Sequence, residues 1–250
     1  MKGVIPAAGK GNRLEPLTLA MPKEMIRIGR KPVIEHVIDN LKACGITDIL
    51  IITGWKKGPI LDYLGSGRRL GVNITYRVQE EQKGPADAVH MSKEWVGDDD
   101  FVVIYGDNYF RPAENLMRTV QFHRKMKADA TLLLHPVDDP SRFGIVKIDS
   151  KGKVLGMIEK PTLAEAENYR TGGIFYNIAG LLVLKPLIFD FIKKTRAGRN
   201  NEIYLTDSIE LMRRRGKEIY GHIFKGVRYD IGTFESLMAA DRLEVQHLQK

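Results

Sequence analysis

The chain opens on a short apolar segment, Lys2-Gly3-Val4-Ile5-Pro6-Ala7-Ala8, that runs straight into Gly9-Lys10-Gly11-Asn12-Arg13-Leu14. An apolar strand followed at once by a glycine-punctuated, cationic turn narrows the possible folds sharply. Glycine lets backbone N–H groups approach an anion, and lysine and arginine neutralise it; α/β proteins hold phosphate chains at strand ends in this way. Both common phosphate motifs are incomplete here. Leu14 stands where G-x-G-x-x-G needs its third glycine, and the spacing G-x-x-x-x-G-K-[ST] is absent. What remains is G-x-G-x-R-L, then Pro16-Leu17-Thr18, then Pro22-Lys23.

Strands and helices alternate beyond this turn. Pro32 to Ala43 carries Val33, Val37 and Leu41 on one helical stripe, with Gly45 just past its end. Asp48 to Thr53 is a continuous apolar run of buried-strand length. Further strands are expected at Ile74–Val78, Phe101–Tyr105 and Ala130–Leu134, and helices at Ala86–Trp95 and Ala113–Met126. This order predicts an α/β fold with a largely parallel sheet covered on both faces. The second half reads as a hairpin, Phe143–Ile148 with Val154–Glu159, then a strand from Gly180 to Leu184. Helices at Leu187–Thr195 and Thr206–Arg215, a strand at Ile219–Phe224 and a helix from Thr233 to Leu248 complete the pattern.

Composition excludes several classes. With 43% hydrophobic and 28% charged residues in 250, the chain suits one large soluble domain over residues 1–250. No apolar run reaches about 18 residues, so no membrane-spanning helix is expected, and no signal-peptide pattern precedes the first strand. A single cysteine, Cys44, excludes an internal disulfide and agrees with a cytoplasmic location. The net charge of +8 raises nucleic-acid binding, but the cations are dispersed and only Arg213-Arg214-Arg215 forms a compact run, at a helix end. No nucleic-acid partner is therefore expected. The six histidines show no metal-ligand spacing, and Trp55 and Trp95 read as packing residues.

Open parallel sheets bind ligands at the carboxyl ends of their strands. Gly9 to Arg13, Gln79 with Gln82 and Gly84, Asp107, and Glu159 with Lys160 all fall at such ends. Asp107 follows Val102-Val103-Ile104-Tyr105-Gly106. A carboxylate there would repel a triphosphate unless a cation such as Mg²⁺ joined them; the alternative is an ordinary turn residue. Asp230 offers a second carboxylate, or else the cap of the helix starting near Thr233. A dinucleotide-binding oxidoreductase would need an acidic residue ending the second strand, where Thr53-Gly54 stands.

Nearly end to end, the chain resembles the sugar-phosphate nucleotidylyltransferases, and most of all the short-form glucose-1-phosphate thymidylyltransferases. The matching segments are Gly9–Arg13, Pro22-Lys23, Gln79 to Gly84, Gly106-Asp107-Asn108, Phe143-Gly144-Ile145-Val146, Glu159-Lys160-Pro161, Gly180, Asn201-Glu202-Ile203 with Thr206-Asp207, and Asp230-Ile231-Gly232-Thr233. The resemblance implies a three-layer Rossmann-like fold of the GT-A type with a small sugar-binding extension. Residues 1–135 would be mainly nucleotide-binding, 136–232 mainly sugar-binding, and 233–250 a closing helix. It implies that Ala8, Gly9, Gly11, Asn12 and Arg13 meet the nucleotide phosphates, that Gln79, Gln82 and Gly84 meet the base, and that Lys23 meets phosphate at the reacting centre. Gly144, Glu159 and Gly180 would line the sugar pocket, Lys160 would bind the sugar phosphate, and Asp107 and Asp230 would hold Mg²⁺.

The implied reaction joins a pyrimidine nucleoside triphosphate, dTTP ahead of UTP, to glucose 1-phosphate, releasing pyrophosphate. Several positions depart from the short-form pattern. Pro6-Ala7-Ala8-Gly9 also occurs in cytidylyltransferases acting on alcohol phosphates, and Pro22-Lys23-Glu24-Met25 looks more like the UTP–glucose-1-phosphate uridylyltransferases. Asn12 replaces a usual Thr, Phe143 replaces a common Tyr, and Tyr169–Asn177 looks inserted near the expected sugar pocket. UTP or CTP as donor, another sugar or alcohol phosphate as acceptor, and a non-catalytic regulator on the same fold remain alternatives. Family members commonly assemble, so a homo-oligomer is a further expectation.

Overall fold

The computed structural model describes residues 1–54, 56–198 and 201–249; Trp55 lies outside them. Eleven strands frame the site: β1 (Lys2–Ala7), β2 (Asp48–Thr53), β3 (Asn73–Val78), β4 (Phe101–Ile104), β5 (Asn108–Arg111), β6 (Ala130–Val137), β7 (Gly144–Ile148), β8 (Val154–Glu159), β9 (Phe175–Leu184), β10 (Ile219–Ile223) and β11 (Val227–Asp230). Nine of them form one sheet along the path β8-β7-β9-β4-β1-β2-β3, with β6 paired to β9 and β10 paired to β6. Seven of the nine (β1, β2, β3, β4, β6, β7 and β10) point the same way, and only β8 and β9 run against them. The sheet is thus mostly parallel, as the alternating sequence predicts.

The two-residue period of the strands divides the core. Val4, Leu50, Ile52, Val103, Leu132 and Leu182 face one way, against helices at Pro85–His90, Ile188–Ile192 and Leu205–Arg214. Ile5, Ile49, Ile51, Val102, Leu133 and Val183 face the other way, against Val33–Ala43, Gly58–Leu64 and Asn115–Met126. All twelve strand side chains are fully buried. At about 1.5–3 kcal/mol per buried aliphatic side chain, this double-sided core carries most of the folding free energy. It also explains why β2 reads as an unbroken apolar run rather than an alternating one.

Some elements differ from the sequence reading. The helix expected over Ala86–Trp95 is two short ones, Pro85–His90 and Lys93–Val96. Ser92 at the junction turns its hydroxyl onto the Val89 carbonyl at 2.6 Å, the local competition that makes serine a poor helix-interior residue. The helix Gly58–Leu64 and the antiparallel pair β5–β11 were not expected. The pair is four residues long on each side and carries Asn108 opposite Asp230. Of the segment Tyr169–Asn177, Phe175–Asn177 belongs to β9, and Arg170 lies over the Phe175 ring at 3.7 Å. No helix among the described residues is long and apolar enough to cross a membrane.

β9 switches partners along its length. Its first half pairs with β6 and β7, its second half with β4 and β6, and the register against β6 shifts between Ile178 and Leu182. Gly180 sits in this bulge with φ +77, a backbone region that costs any residue with a Cβ. A Cβ there would also stand 2.6 Å from the Asn108 amide. Gly180→Ala should therefore lower stability by about 1–3 kcal/mol, read from the midpoint of urea denaturation.

Candidate active site

β1 lies between β2 on one side and β4 on the other, so the chain crosses the sheet in opposite directions from these neighbours. The carboxyl ends of β1 and β4 therefore open at a topological switch point, where doubly wound sheets form their ligand crevice. A cavity of about 390 Å³ occupies that position. The turn after β1 contributes Ala8, Gly9 and Arg13 to its wall, and the end of β4 contributes Asp107. Gln79, Gln82 and Gly84 border it after β3, and Lys23 and Asp230 close its floor. Gly144, Glu159, Lys160 and Gly180 line the opposite side.

Two expected residues do not reach this wall. Gly11 is left-handed at φ +72 and backs onto Lys23 and Thr18, where a Cβ would lie 3.0 Å from Thr18 Cγ2. Asn12 begins an exposed 3₁₀ turn. Their geometry shapes the loop without facing the cavity. Tyr169–Asn177 contributes nothing to the wall either; Ile178, just beyond it, does.

At the centre, the Lys23 ammonium donates to Asp107 Oδ2, and both side chains are largely buried. Burial opposes the charged lysine, but Asp107, Glu24 and Asp230 outweigh it and raise its pKa. Burial likewise pushes the Asp107 carboxyl up, and the Lys23 charge and hydrogen bond together hold it below the usual range. Asp230 goes the other way. Burial and the neighbouring Asp107 charge raise it, against Arg228, Lys23 and Arg13. The Ile231 N–H donates to the Asp107 carbonyl at 2.8 Å, which ties the two carboxylate-bearing segments together. Asp230 does not cap the last helix: Thr233 does, accepting from the Ser236 N–H.

On the far side, Glu159 accepts from Thr206 Oγ1 at 2.5 Å. A Cβ on Gly144 would lie 2.5 Å from that hydroxyl oxygen and 2.8 Å from Glu159 Oε2, so only glycine leaves the pair intact. Lys160, in a left-handed conformation at φ 44, donates to Tyr204 Oη at 3.0 Å and sits 4.4 Å from the ring centroid. Gly84 is packed against the Ile203 backbone, where a Cβ would come within 2.7 Å. The backbone bonds by which Ile203 joins Lys83 at 2.8 Å and Ala86 at 3.0 Å therefore depend on this glycine.

Among the lining residues to which the sequence reading gave no role are Glu24, Asn108, Arg142, Tyr204 and Arg228. Arg228 was legible in principle, because residues two apart in a strand share a face and Asp230 was already singled out. Nothing local in Pro22-Lys23-Glu24 signals that Glu24 is 1% exposed, with Oε2 lacking any hydrogen-bond partner.

A model of the nucleotidyl transferase family matches residues 2–246. The chain belongs to that family. It is 34% identical over 247 residues to the low-salt glycan biosynthesis nucleotidyltransferase Agl11 of Haloferax volcanii, covering 98% of this chain and 66% of the relative. It is 30% identical over 250 residues to a glucose-1-phosphate thymidylyltransferase of Streptomyces antibioticus, covering 100% of this chain and 67% of that one. The chain thus spans about two thirds of the length of these relatives. A crystal structure of UDP-glucose pyrophosphorylase complexed with UDP-glucose superposes with a TM-score of 0.88 at 27% identity, covering 98% of both chains.

Burial pushes the Glu24 carboxyl from its usual 4.5 up to about 7, with Lys23 opposing and Asp107 adding. The folded state therefore holds this proton more tightly than the unfolded chain does. The associated stability is complete below the ordinary carboxylate range and is lost as pH rises through about 7. Glu24→Gln, which mimics the protonated form, should gain on the wild type by roughly 2–3 kcal/mol between pH 5 and pH 8.5. Denaturant titrations at the two pH values check this; an unchanged difference would contradict the burial argument.

Proposed function

We propose that this family member transfers a nucleotidyl group from a pyrimidine nucleoside triphosphate to a hexose 1-phosphate, with glucose 1-phosphate as the favoured acceptor. The observation that carries the reading is one cavity with three cations and two carboxylates at one end and a carboxylate–hydroxyl pair at the other. Arg13, Lys23 and Arg228 stand with Asp107 and Asp230, across from Glu159 and Thr206. Residues 1–135 supply mainly the nucleotide side and 136–232 mainly the sugar side.

In this reading a phosphate oxygen of the sugar phosphate attacks the α-phosphorus in line, and pyrophosphate leaves. Two unit like charges about 4 Å apart repel by roughly 4 kcal/mol at an effective dielectric near 20, so bringing two polyanions together is the main obstacle. Lys160 meets the nucleophile while Arg13 and Lys23 meet the triphosphate. The acceptor phosphate is already ionised, so no general base is required. Positioning and fixed charge supply the catalysis. Glu159, held by Thr206, accepts hydrogen bonds from sugar hydroxyls.

Asp107 and Asp230 are hard oxygen donors on adjacent backbone, and among the described residues no group of three or more His, Cys, Asp or Glu could hold a metal alone. Such a pair fits Mg²⁺, which keeps several waters and takes substrate phosphate as its other ligands. When bound, that ion would neutralise charge on the phosphates.

Base preference follows from Gln79. Its amide N–H donates to Asp87 Oδ2 at 2.7 Å and toward the Gly84 carbonyl at 3.4 Å, which leaves Oε1 as the acceptor offered to a base. Thymine and uracil carry an N3–H donor, and cytosine carries an acceptor there. An acceptor there favours dTTP and UTP over CTP. We keep dTTP as first choice; the full-length match to the UDP-glucose complex favours UTP as the second reading.

Pyrophosphate release should appear with Mg²⁺, glucose 1-phosphate and dTTP or UTP, and not with CTP, ATP or GTP. Silence with all five triphosphates, repeated over a panel of sugar phosphates, would sink the proposal. Asp107→Asn should lower kcat by about 100-fold or more while nucleotide binding changes little. Gly144→Ala should raise KM for the sugar phosphate by roughly tenfold or more, equivalent to about 1.4 kcal/mol, by displacing the Glu159–Thr206 pair.

A further inference from the structure

Arg228 stands in β11 two residues before Asp230, and the strand period puts both side chains on the cavity side. Its side chain is only 8% exposed. Nε donates to Asn108 Oδ1 at 2.7 Å, and Asn108 Nδ2 donates in turn to Asp107 Oδ1 at 3.0 Å. Nη2 lies 3.8 Å from Asp230 Oδ2, and the guanidinium carbon lies 5.9 Å from the Phe143 ring centroid.

The direction of this chain of bonds is dictated by chemistry. Guanidinium N–H groups only donate and an ionised carboxylate only accepts. Asn108 must therefore turn its oxygen to Arg228 and its NH₂ to Asp107. It has no room to do otherwise: it is 1% exposed, and Gly180 packs against its amide. Asp107 is gripped at both oxygens, Oδ2 by Lys23 and Oδ1 by Asn108.

We propose that Arg228 is the positioning residue of the carboxylate pair, setting Asp107 through Asn108 and Asp230 by direct attraction. The inference rests on the cavity being the nucleotidyl-transfer site and names how that site keeps its two acidic groups convergent. A lysine at 228 would retain the charge but lose the planar Nε–H that fixes the amide, so the residue type matters beyond its sign.

The test uses the full chain and the variants Arg228→Lys, Asn108→Ser and the double variant. Mn²⁺ is titrated into protein with one equivalent of dTTP, and in parallel UTP, in the absence of sugar phosphate; binding is read as water-proton relaxation enhancement above that of the Mn²⁺–nucleotide alone, so the readout does not depend on turnover. Arg228→Lys should weaken Mn²⁺ binding and lower kcat each by about 10-fold or more, with KM for the sugar phosphate within about threefold, as expected when a residue acts through a ligand. Thermal melts should show both single variants folded. Because both act through one relay, the double variant should cost little more than the worse single one. Additive losses, or an Arg228→Lys variant that binds Mn²⁺ as tightly as the wild type, would overturn the proposal. So would wild-type protein that binds no Mn²⁺. Wild-type protein that binds Mn²⁺ but releases no pyrophosphate would instead defeat the transfer reading, and the Mn²⁺ cycle would still decide the role of Arg228.

Discussion

The site is governed by charges of both signs crowded together at one end of the sheet. Asp107, Asp230 and Glu24 are brought together where β1 and β4 end, and the buried cations nearest them are Lys23 and Arg228. One carboxyl must therefore carry its proton with ease, and the burden falls on Glu24, which has no donor at Oε2. Bringing such groups together is unfavourable for folding by itself. The double-sided aliphatic core provides the surplus against which the arrangement is held.

Rigidity at this point comes from backbone more than from side chains. Asn108 and Asp230 face each other across β5–β11, and the left-handed bulge at Gly180 presses β9 onto the same asparagine. The C-terminal helix, Phe234–Leu248, adds a further tie. Its Glu244 bonds Tyr109 and Arg111 from β5, and its Ala240 lies in the small cluster that also holds Leu14 of the glycine turn. A segment more than a hundred residues away in sequence thus steadies the strand that follows Asp107.

Much of the fold was legible because its signals are local and strong. The apolar run at Asp48–Thr53, the helical stripe from Val33 and the strand-to-glycine turn at Gly9 each have one favourable reading. The candidate site was legible where a polar residue follows a buried strand, as at Gln79, Asp107 and Glu159. Legibility failed where the deciding partner is distant. β5 and β11 are too short to announce themselves and exist because each completes the other. Arg228 gains its meaning from Asn108, 120 positions earlier. Glu24 looks like a surface glutamate until the fold closes over it, and Ser92 breaks a helix that its apolar neighbours would have continued.

The partner exchange along β9 has an architectural consequence. The strand beside β4 comes from residues 181–184, so the part of the sheet built by the first half of the chain is completed by a segment that arrives only after β7 and β8. A break near residue 135 would leave the β4 edge unpaired and both fragments with open strand edges. The two halves of the chain are interleaved rather than joined, so evolution or engineering cannot exchange either as a cassette. Acceptor choice has to change by substitution within a frame that both substrates share.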